Sequence, residues 1–279
     1  MHVCVLVTTR GRFGALERLF ESLLRQTHQD FSILLGDQSG GEEMDAFLSR
    51  HAGKLAIERH ILPPTGLSAA RNALLPFIKG EYVYFSDDDS YLDPSAFAAI
   101  AQYARQFPEA GALVGAGSPI PLDVDADIPP ARKLSPYSVF SNCPSWCVFI
   151  KKDVIRDIGA FDERMGIGAP TPWQSGEETD YLLRILAAGK LVVRCPGARM
   201  YHDPEDLEHL NFEKIKGYAA GRMYTIRKHS LPFWFALCNI LYPLAWMVLE
   251  TPRFGTPAIK KRITMFCARL QWYIRLIFP

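Results

Sequence analysis

The chain has 279 residues, 48% of them hydrophobic and 22% charged, with a formal net charge of +1. It is long enough for one large domain or a domain with an appendage, and its ordinary globular composition excludes a disordered or fibrous chain. The charge is unevenly spread: from Lys214 onward there are eleven Lys and Arg against one acid, Glu250, so the tail carries 11 − 1 = +10 and the first 213 residues 1 − 10 = −9.

The amino terminus opens into Val3–Val7, a buried-strand pattern rather than a charged leader with a cleavable apolar stretch, so no secretory signal is expected. Apolar runs and helical patterns then alternate. Strands are predicted near 2–8, 31–35, 56–61 and 82–86, with helices near 14–26, 42–51 and 67–78 between them. Strands and helices at this spacing imply βαβ units and an α/β fold with a mainly parallel, doubly wound sheet. A helix near 94–107 and a strand near 112–117 follow. The stretch 118–136, rich in Pro and Asp, reads as a long functional surface loop.

The strand at Tyr82–Ser86 ends in Asp87-Asp88-Asp89. In an extended chain Asp87 and Asp89 would share a face and a hard divalent cation, Mn²⁺ or Mg²⁺, at the carboxyl edge of the sheet where ligands of open α/β folds bind. A solvated acidic turn leading into the next helix is the alternative. Farther on, Trp146–Ile150 is a strand pattern, and a short helix is expected around 153–158. Ser175-Gly176-Glu177-Glu178-Thr179-Asp180 then opens an amphipathic helix, where Ser175 and Glu178 fit a capping box and Asp180 and Arg184 an i,i+4 pair. The same carboxylates could serve as a general base. Strand patterns at 190–195 and 198–202 lead to His202, a structural histidine or a third metal ligand.

At the first strand end, Thr8, Thr9 and Arg10 offer hydroxyls and a guanidinium to a nucleotide. Asp37 follows the second strand, suited to a base or ribose contact or simply to a turn, and Arg71 could reach a pyrophosphate. Six cysteines lie mostly in apolar runs and read as reduced core thiols in the cytosol; Cys143 and Cys147 are too isolated for a zinc site.

In the tail, 231–249 carries no charge, yet contains Pro243 and several Trp, Tyr and Phe. Pro243 should break or kink a helix there. With an amphipathic helix near 257–278 this predicts an interfacial or re-entrant membrane segment, or a helical hairpin packed on the preceding domain. The anionic partner implied by the basic tail is therefore a membrane surface and not a nucleic acid.

The order of motifs over residues 1–205 resembles family 2 glycosyltransferases of the GT-A fold. The matching pieces are Thr8–Arg12, Asp37, Gly66–Asn72, the D-x-D metal motif at Asp87-Asp88-Asp89, Gly159–Glu163, the base motif at Gly176–Asp180, and a strand-end His202. Three features depart from the family pattern. The turn around Asp37 is one residue short, Glu178 stands where the family has Asp, which leaves Glu177 as a rival base, and the Gln-x-x-Arg-Trp motif of processive synthases is missing.

The resemblance implies inverting transfer of one sugar from a nucleoside diphosphate sugar, UDP first, to a hydroxyl of a glycan or lipid-linked acceptor in surface polysaccharide assembly. Asp89, Asp87 and His202 would hold Mn²⁺ or Mg²⁺, and Thr8, Thr9, Arg10, Asp37, Arg71, Asp87 and Asp88 the donor. Glu178 or Glu177 would be the base, with Trp173 and Asp180 on the acceptor side. The expected organisation is a catalytic domain over 1–210, with a donor half to about 117, and a membrane-associating helical region over 211–279. The expected location is the cytoplasmic face of a membrane. A sugar nucleotidyltransferase and a catalytically silent membrane scaffold are the competing readings.

Overall fold

The computed structural model describes residues 1–119, 128–203 and 211–277, with only the backbone given over 248–258. The expected loop at 118–136 and the run Tyr201–Pro204 therefore lie partly outside the described residues. The chain divides into two compact units: residues 1–65, 69–161 and 181–204 form the first, and 66–68, 162–180 and 205–279 the second. The division does not follow the cut at 210 expected from composition, because residues 162–180 group with the carboxy-terminal helices.

The first unit is built on one sheet. Its strands are β1 (Val3–Thr9), β2 (Phe31–Asp37), β3 (Ile57–Ile61), β4 (Tyr82–Ser86), β5 (Ser90–Leu92), β6 (Ala110–Ser118), β7 (Arg132–Lys133), β8 (Val148–Lys151) and β9 (Leu191–His202). Among the described residues the order is β3-β2-β1-β4-β8-β6-β9-β5, with β7 added on β9. The amino-terminal half meets the βαβ expectation: β1 runs parallel to both β2 and β4, and β2 to β3. Helices α1 (Phe13–Leu24), α2 (Glu42–Ser49) and α3 (Leu67–Leu74) make the crossovers that parallel neighbours require.

The sheet is mixed rather than mainly parallel. β8 lies antiparallel to both β4 and β6, and β9 antiparallel to β5 and β7. β7 was not foreseen; two exposed basic residues, Arg132 and Lys133, carry no strand pattern of their own and pair only because β9 offers an edge. The two patterns at 190–195 and 198–202 are one strand, irregular in register beside β6 between Gly115 and Ala116.

β1 sits between β2 on one side and β4 on the other, so the chain order reverses at β1. Such a reversal opens a crevice beyond the carboxyl ends of the two strands. The strands there are buried on both faces: Val3–Val7 and Tyr82–Phe85 are at most 2% exposed. Beneath them the register sets Tyr84 opposite Phe149, whose rings stack at 4.5 Å, and α4 (Ala96–Gln106) adds Phe97 edge-on. The Tyr84 hydroxyl is satisfied by the Trp146 carbonyl at 2.9 Å. Cys4, Cys147 and Cys195 are buried as expected of core thiols, whereas Cys238 and Cys267 are exposed.

In the second unit α8 (Phe212–Lys228) starts at an N-cap, the Asn211 side chain accepting from the Glu213 amide at 3.0 Å. α8 packs on the helical segment α9 (Phe233–Ile277). A straight helix of 45 residues would run about 68 Å. Arg269 nevertheless donates to the Asn239 carbonyl at 2.6 Å, and the rings of Phe233 and Tyr273 lie 6.3 Å apart. α9 therefore doubles back into two antiparallel arms. Helix continues through Pro243, where a break or kink is expected from the sequence, and no helix among the described residues is long and apolar enough to cross a membrane.

Candidate active site

The three carboxylates after β4 do not continue the strand. Asp88 and Asp89 form a turn between β4 and β5, with the Ser90 amide and hydroxyl bonded to the Asp87 carbonyl at 3.3 and 2.9 Å. In a turn the alternation of an extended chain no longer holds, and the carboxylates take three different partners. Asp87 accepts from Arg71 at 3.1 Å and from the Ser145 hydroxyl at 3.2 Å. Asp88, 3% exposed, accepts from the Thr9 hydroxyl at 2.6 Å and from Arg12 Nε at 3.3 Å, with a second Arg12 nitrogen on its other oxygen. Asp89 Oδ2 accepts from Arg12 at 2.5 Å.

His202 reaches Asp89 because of sheet register. β5 lies antiparallel to β9 with Ser90 opposite His202, so the residue preceding Ser90 meets the end of β9. His202 Nε2 stands 3.1 Å from Asp89 Oδ1, and the Trp146 ring stacks on the imidazole at 5.5 Å. The contact is at ion-pair distance but lacks hydrogen-bond alignment, which leaves Asp89 Oδ1 buried and without an aligned donor. The electrostatics differ along the turn. Burial pushes Asp88 up despite Thr9 and Arg12. Burial also opposes ionisation of Asp89, but His202 and Arg12 outweigh it and hold the group at about 2. His202 is raised to about 9, chiefly by Asp89.

The Asp89–His202 pair fits a divalent cation. A buried carboxylate oxygen has no aligned donor and stands 3.1 Å from an imidazole nitrogen, and a nucleotide-bound Mn²⁺ or Mg²⁺ needs only one or two protein ligands because phosphates and water complete its shell. Asp87 is held instead by Arg71 and Ser145, and among the described residues no three His, Cys, Asp or Glu side chains converge as a metal cage.

The remaining donor-side residues divide. Arg71 is 1% exposed and lies beside the rings of Phe85 and Phe161, 5.8 and 5.6 Å from their centroids, which fixes its guanidinium against Asp87. Arg10 is exposed and bonds Gln38 and the Thr65 carbonyl; Thr8 pairs with Gly36 across the strands. Asp37 is held within its own part of the chain. Its carboxylate is fully buried, with one oxygen on the Ser39 amide, Ser39 hydroxyl and Gly40 amide and the other on two nitrogens of Arg59. Every acceptor position on it is taken by the protein, so the expected base or ribose contact would have to displace Ser39, Gly40 or Arg59. Arg12, Ser145 and Trp146 were missed as site residues. Arg12 had a signal, a second guanidinium just after Gly11 in the loop that follows β1; Ser145 and Trp146 had none, since only the antiparallel entry of β8 brings them to Asp87 and His202.

The other predicted residues belong to the second unit. α7 (Glu177–Ala187) begins there with Glu177 and Glu178, 4% and 6% exposed, and Asp180, fully buried. The turn before it is tight: Gly176 has φ +89°, and α8 approaches so closely that a Cβ on Gly221 would lie 2.2 Å from the Ser175 carbonyl. Asp180 accepts from Lys228 at 2.7 Å and His229 at 2.8 Å, and Lys228 also reaches Asp162 at 2.8 Å. Trp173 stacks on Tyr224 with centroids 3.5 Å apart and planes 8° apart, its indole nitrogen without a partner. Asp180 thus stands in one network with Lys228, His229 and Asp162 of the Gly159–Glu163 piece, and the Trp173–Tyr224 stack joins it through Arg164, which lies over Tyr224 and pairs with Asp162; Lys228, His229 and Tyr224 carry no motif.

Known proteins share this architecture. The GDP-Man and Mn²⁺ complex of mannosyltransferase PcManGT from Pyrobaculum calidifontis is similar over 97% of this chain and 86% of that one, at 13% identity and a TM-score of 0.66. S. aureus TarS 1–349 with UDP-GlcNAc matches over 99% of this chain and 92% of that one, at 13% identity and a TM-score of 0.60. These likenesses establish the GT-A fold, a mixed sheet flanked by helices. In sequence, the pre-mycofactocin glycosyltransferase of Mycobacterium tuberculosis is 26% identical over 72% of this chain and 42% of its own. Protein CgeD of Bacillus subtilis is 26% identical over 40% of this chain and 28% of its own. The chain spans less than half the length of these curated relatives. The sequence profile described as glycosyl transferase family 2 matches residues 4–155, more than half of the chain, and the chain belongs to that family.

Proposed function

We propose that the chain transfers a single sugar, with inversion, from a nucleoside diphosphate sugar to a hydroxyl of a glycan or lipid-linked acceptor. The observation that carries the reading is the buried Asp89 Oδ1 that meets only a misaligned ion-pair contact from His202 in the turn after β4. Asp89 and His202 would hold Mn²⁺ or Mg²⁺, which stabilises negative charge developing on the diphosphate leaving group. Arg71, Thr9 and Arg12 hold the carboxylate turn in place, and the exposed Arg10 would exchange its contacts with Gln38 and the Thr65 carbonyl for the donor.

Glu178 takes the acceptor hydroxyl's proton, with Glu177 its rival, and the indole nitrogen of Trp173 is a spare donor for an acceptor hydroxyl. UDP is the first donor nucleotide to try, the TarS relation and the family pattern both favouring it, with GDP the alternative suggested by PcManGT. The setting is surface polysaccharide assembly at the cytoplasmic face of a membrane, contacted through α8 and α9.

Thermal shifts with UDP, GDP, dTDP and CMP, each with Mn²⁺ and with EDTA, test the donor half. One nucleoside diphosphate should stabilise the wild type only with metal and fail to do so for Asp89→Ala. Stabilisation by none of them would sink the reading. Glu178→Gln should keep that shift and lose transfer by a factor of about 100 to 10,000; if only Glu177→Gln does so, the base is Glu177.

A further inference from the structure

Behind the Asp89–His202 pair a closed circuit of contacts runs through Arg18 of α1, a residue that carries no motif. α1 packs on β5, which places Arg18 beside the turn that precedes that strand. Its Nη2 donates to the Asp89 carbonyl at 3.3 Å, and its Nη1 to the Asp203 carboxylate at 2.7 Å. Asp203 in turn accepts from His202 Nδ1 on its backbone carbonyl at 2.6 Å. His202 Nε2, 3.1 Å from Asp89 Oδ1, closes the ring. A carbonyl can only accept, so Nδ1 carries the proton on that side and Nε2 is the nitrogen that faces Asp89 and a cation.

The circuit adds little to stability. The side chains of Arg18 and Asp203 are 38% and 58% exposed, and a pair so open to water contributes next to nothing once side-chain entropy is counted. The guanidinium lies 5.0 Å over the Tyr91 ring, and its Nε is buried without a partner among the described residues, a cost that a merely stabilising surface pair does not carry. What the fork achieves is geometric. Its two arms fix the backbone at Asp89 and the residue after His202 together, so the turn after β4 is tied to the end of β9 from α1 as well as by the β5–β9 register.

We propose that Arg18 is a positioning residue for the cation site: it holds the Asp89 backbone and Asp203, and through the Asp203 carbonyl the His202 ring, and so keeps Asp89 Oδ1 and His202 Nε2 together for a nucleotide-bound Mn²⁺ or Mg²⁺. The inference rests on the cation site proposed above. Its sign separates it from a simple charge effect. A guanidinium repels a nearby cation, so losing the charge alone would tighten cation binding, whereas losing the positioning weakens it.

Calorimetric titration of UDP, or of GDP, into the full chain tests it, with Mn²⁺ in excess and again with EDTA. Arg18→Met should lose about 10- to 100-fold of the Mn²⁺-dependent affinity and keep the affinity in EDTA within about twofold. Its Tm in EDTA should stay within about 4 °C of the wild type. Arg18→Lys, which keeps the charge and reaches only one of the two acceptors, should fall between. If the wild type binds neither nucleotide more tightly with Mn²⁺ than with EDTA, the cation site falls and the inference with it. If the wild type does so and Arg18→Met equals or exceeds it, only the role of Arg18 is overturned. Wild-type affinity in Arg18→Lys overturns the two-armed contact, and a larger fall in Tm makes Arg18 a structural residue instead.

Discussion

Acidic residues end both parallel strands that flank β1 in the first unit, and they use their carboxylates in opposite ways. Asp37, the last residue of β2, is fully buried and accepts five hydrogen bonds from Ser39, Gly40 and Arg59. Asp89, after β4, is also largely buried, but one oxygen has no aligned donor. A carboxylate whose lone pairs are all taken by its own chain holds a loop in shape; one left incomplete stores a cost that a cation can remove. From sequence alone the two looked alike, each an Asp at a strand end.

The contrast breaks most sharply at Asp89. Asp89→Asn is expected to lower transfer about a thousandfold with little loss of stability, read by product formation under Mn²⁺ and by thermal melting. If it unfolds the protein, the turn is structural after all. Asp37→Ala should do the reverse, costing about 3 kcal/mol by removing the buried partner of Arg59, which keeps only the exposed Asp45, while the fraction that stays folded keeps donor affinity within a few-fold. A large rise in donor Kd without destabilisation would return Asp37 to the nucleotide site.

A pH series sharpens the same comparison. Burial raises the Asp37 carboxyl, but Ser39, Arg59 and the backbone amides lower it further, so its folded value lies below its unfolded one. Its contribution is thus complete above about pH 4 and disappears as pH falls through the folded value. The Tm gap between wild type and Asp37→Asn should shrink between pH 7 and pH 3; a constant gap would show that ionisation of Asp37 does not matter. The smallest effect should come from Asp153→Ala. Its pair with Arg156 is 3.3 Å long but some three-quarters exposed on each side, so stability should change by under about 0.5 kcal/mol in chemical denaturation.

Much of the first half was legible because its interactions are local. Hydrophobic periodicity placed β1 to β4 and the helices between them, and the Asp triplet marked the carboxyl edge of the sheet. The antiparallel entry of β8 was not legible: a four-residue apolar strand reads the same in either direction. The reversal within α9 was legible only as the helical-hairpin alternative, and the place of the turn was not, since Pro243 marked a break that the helix does not make.

The sequence by itself determined the alternating α/β pattern, the family, the acidic turn after β4 and the polarity of the tail, all properties of neighbouring residues and of motif order. Tertiary structure alone decided that His202 faces Asp89 through the β5–β9 register, that Asp37 is spent on Arg59, and that Arg18 of α1 reaches both Asp89 and Asp203. Each of these outcomes depends on which strand or helix packs beside a residue. Hydrogen-bond satisfaction and burial arise from partners distant in sequence, and no local pattern encodes them.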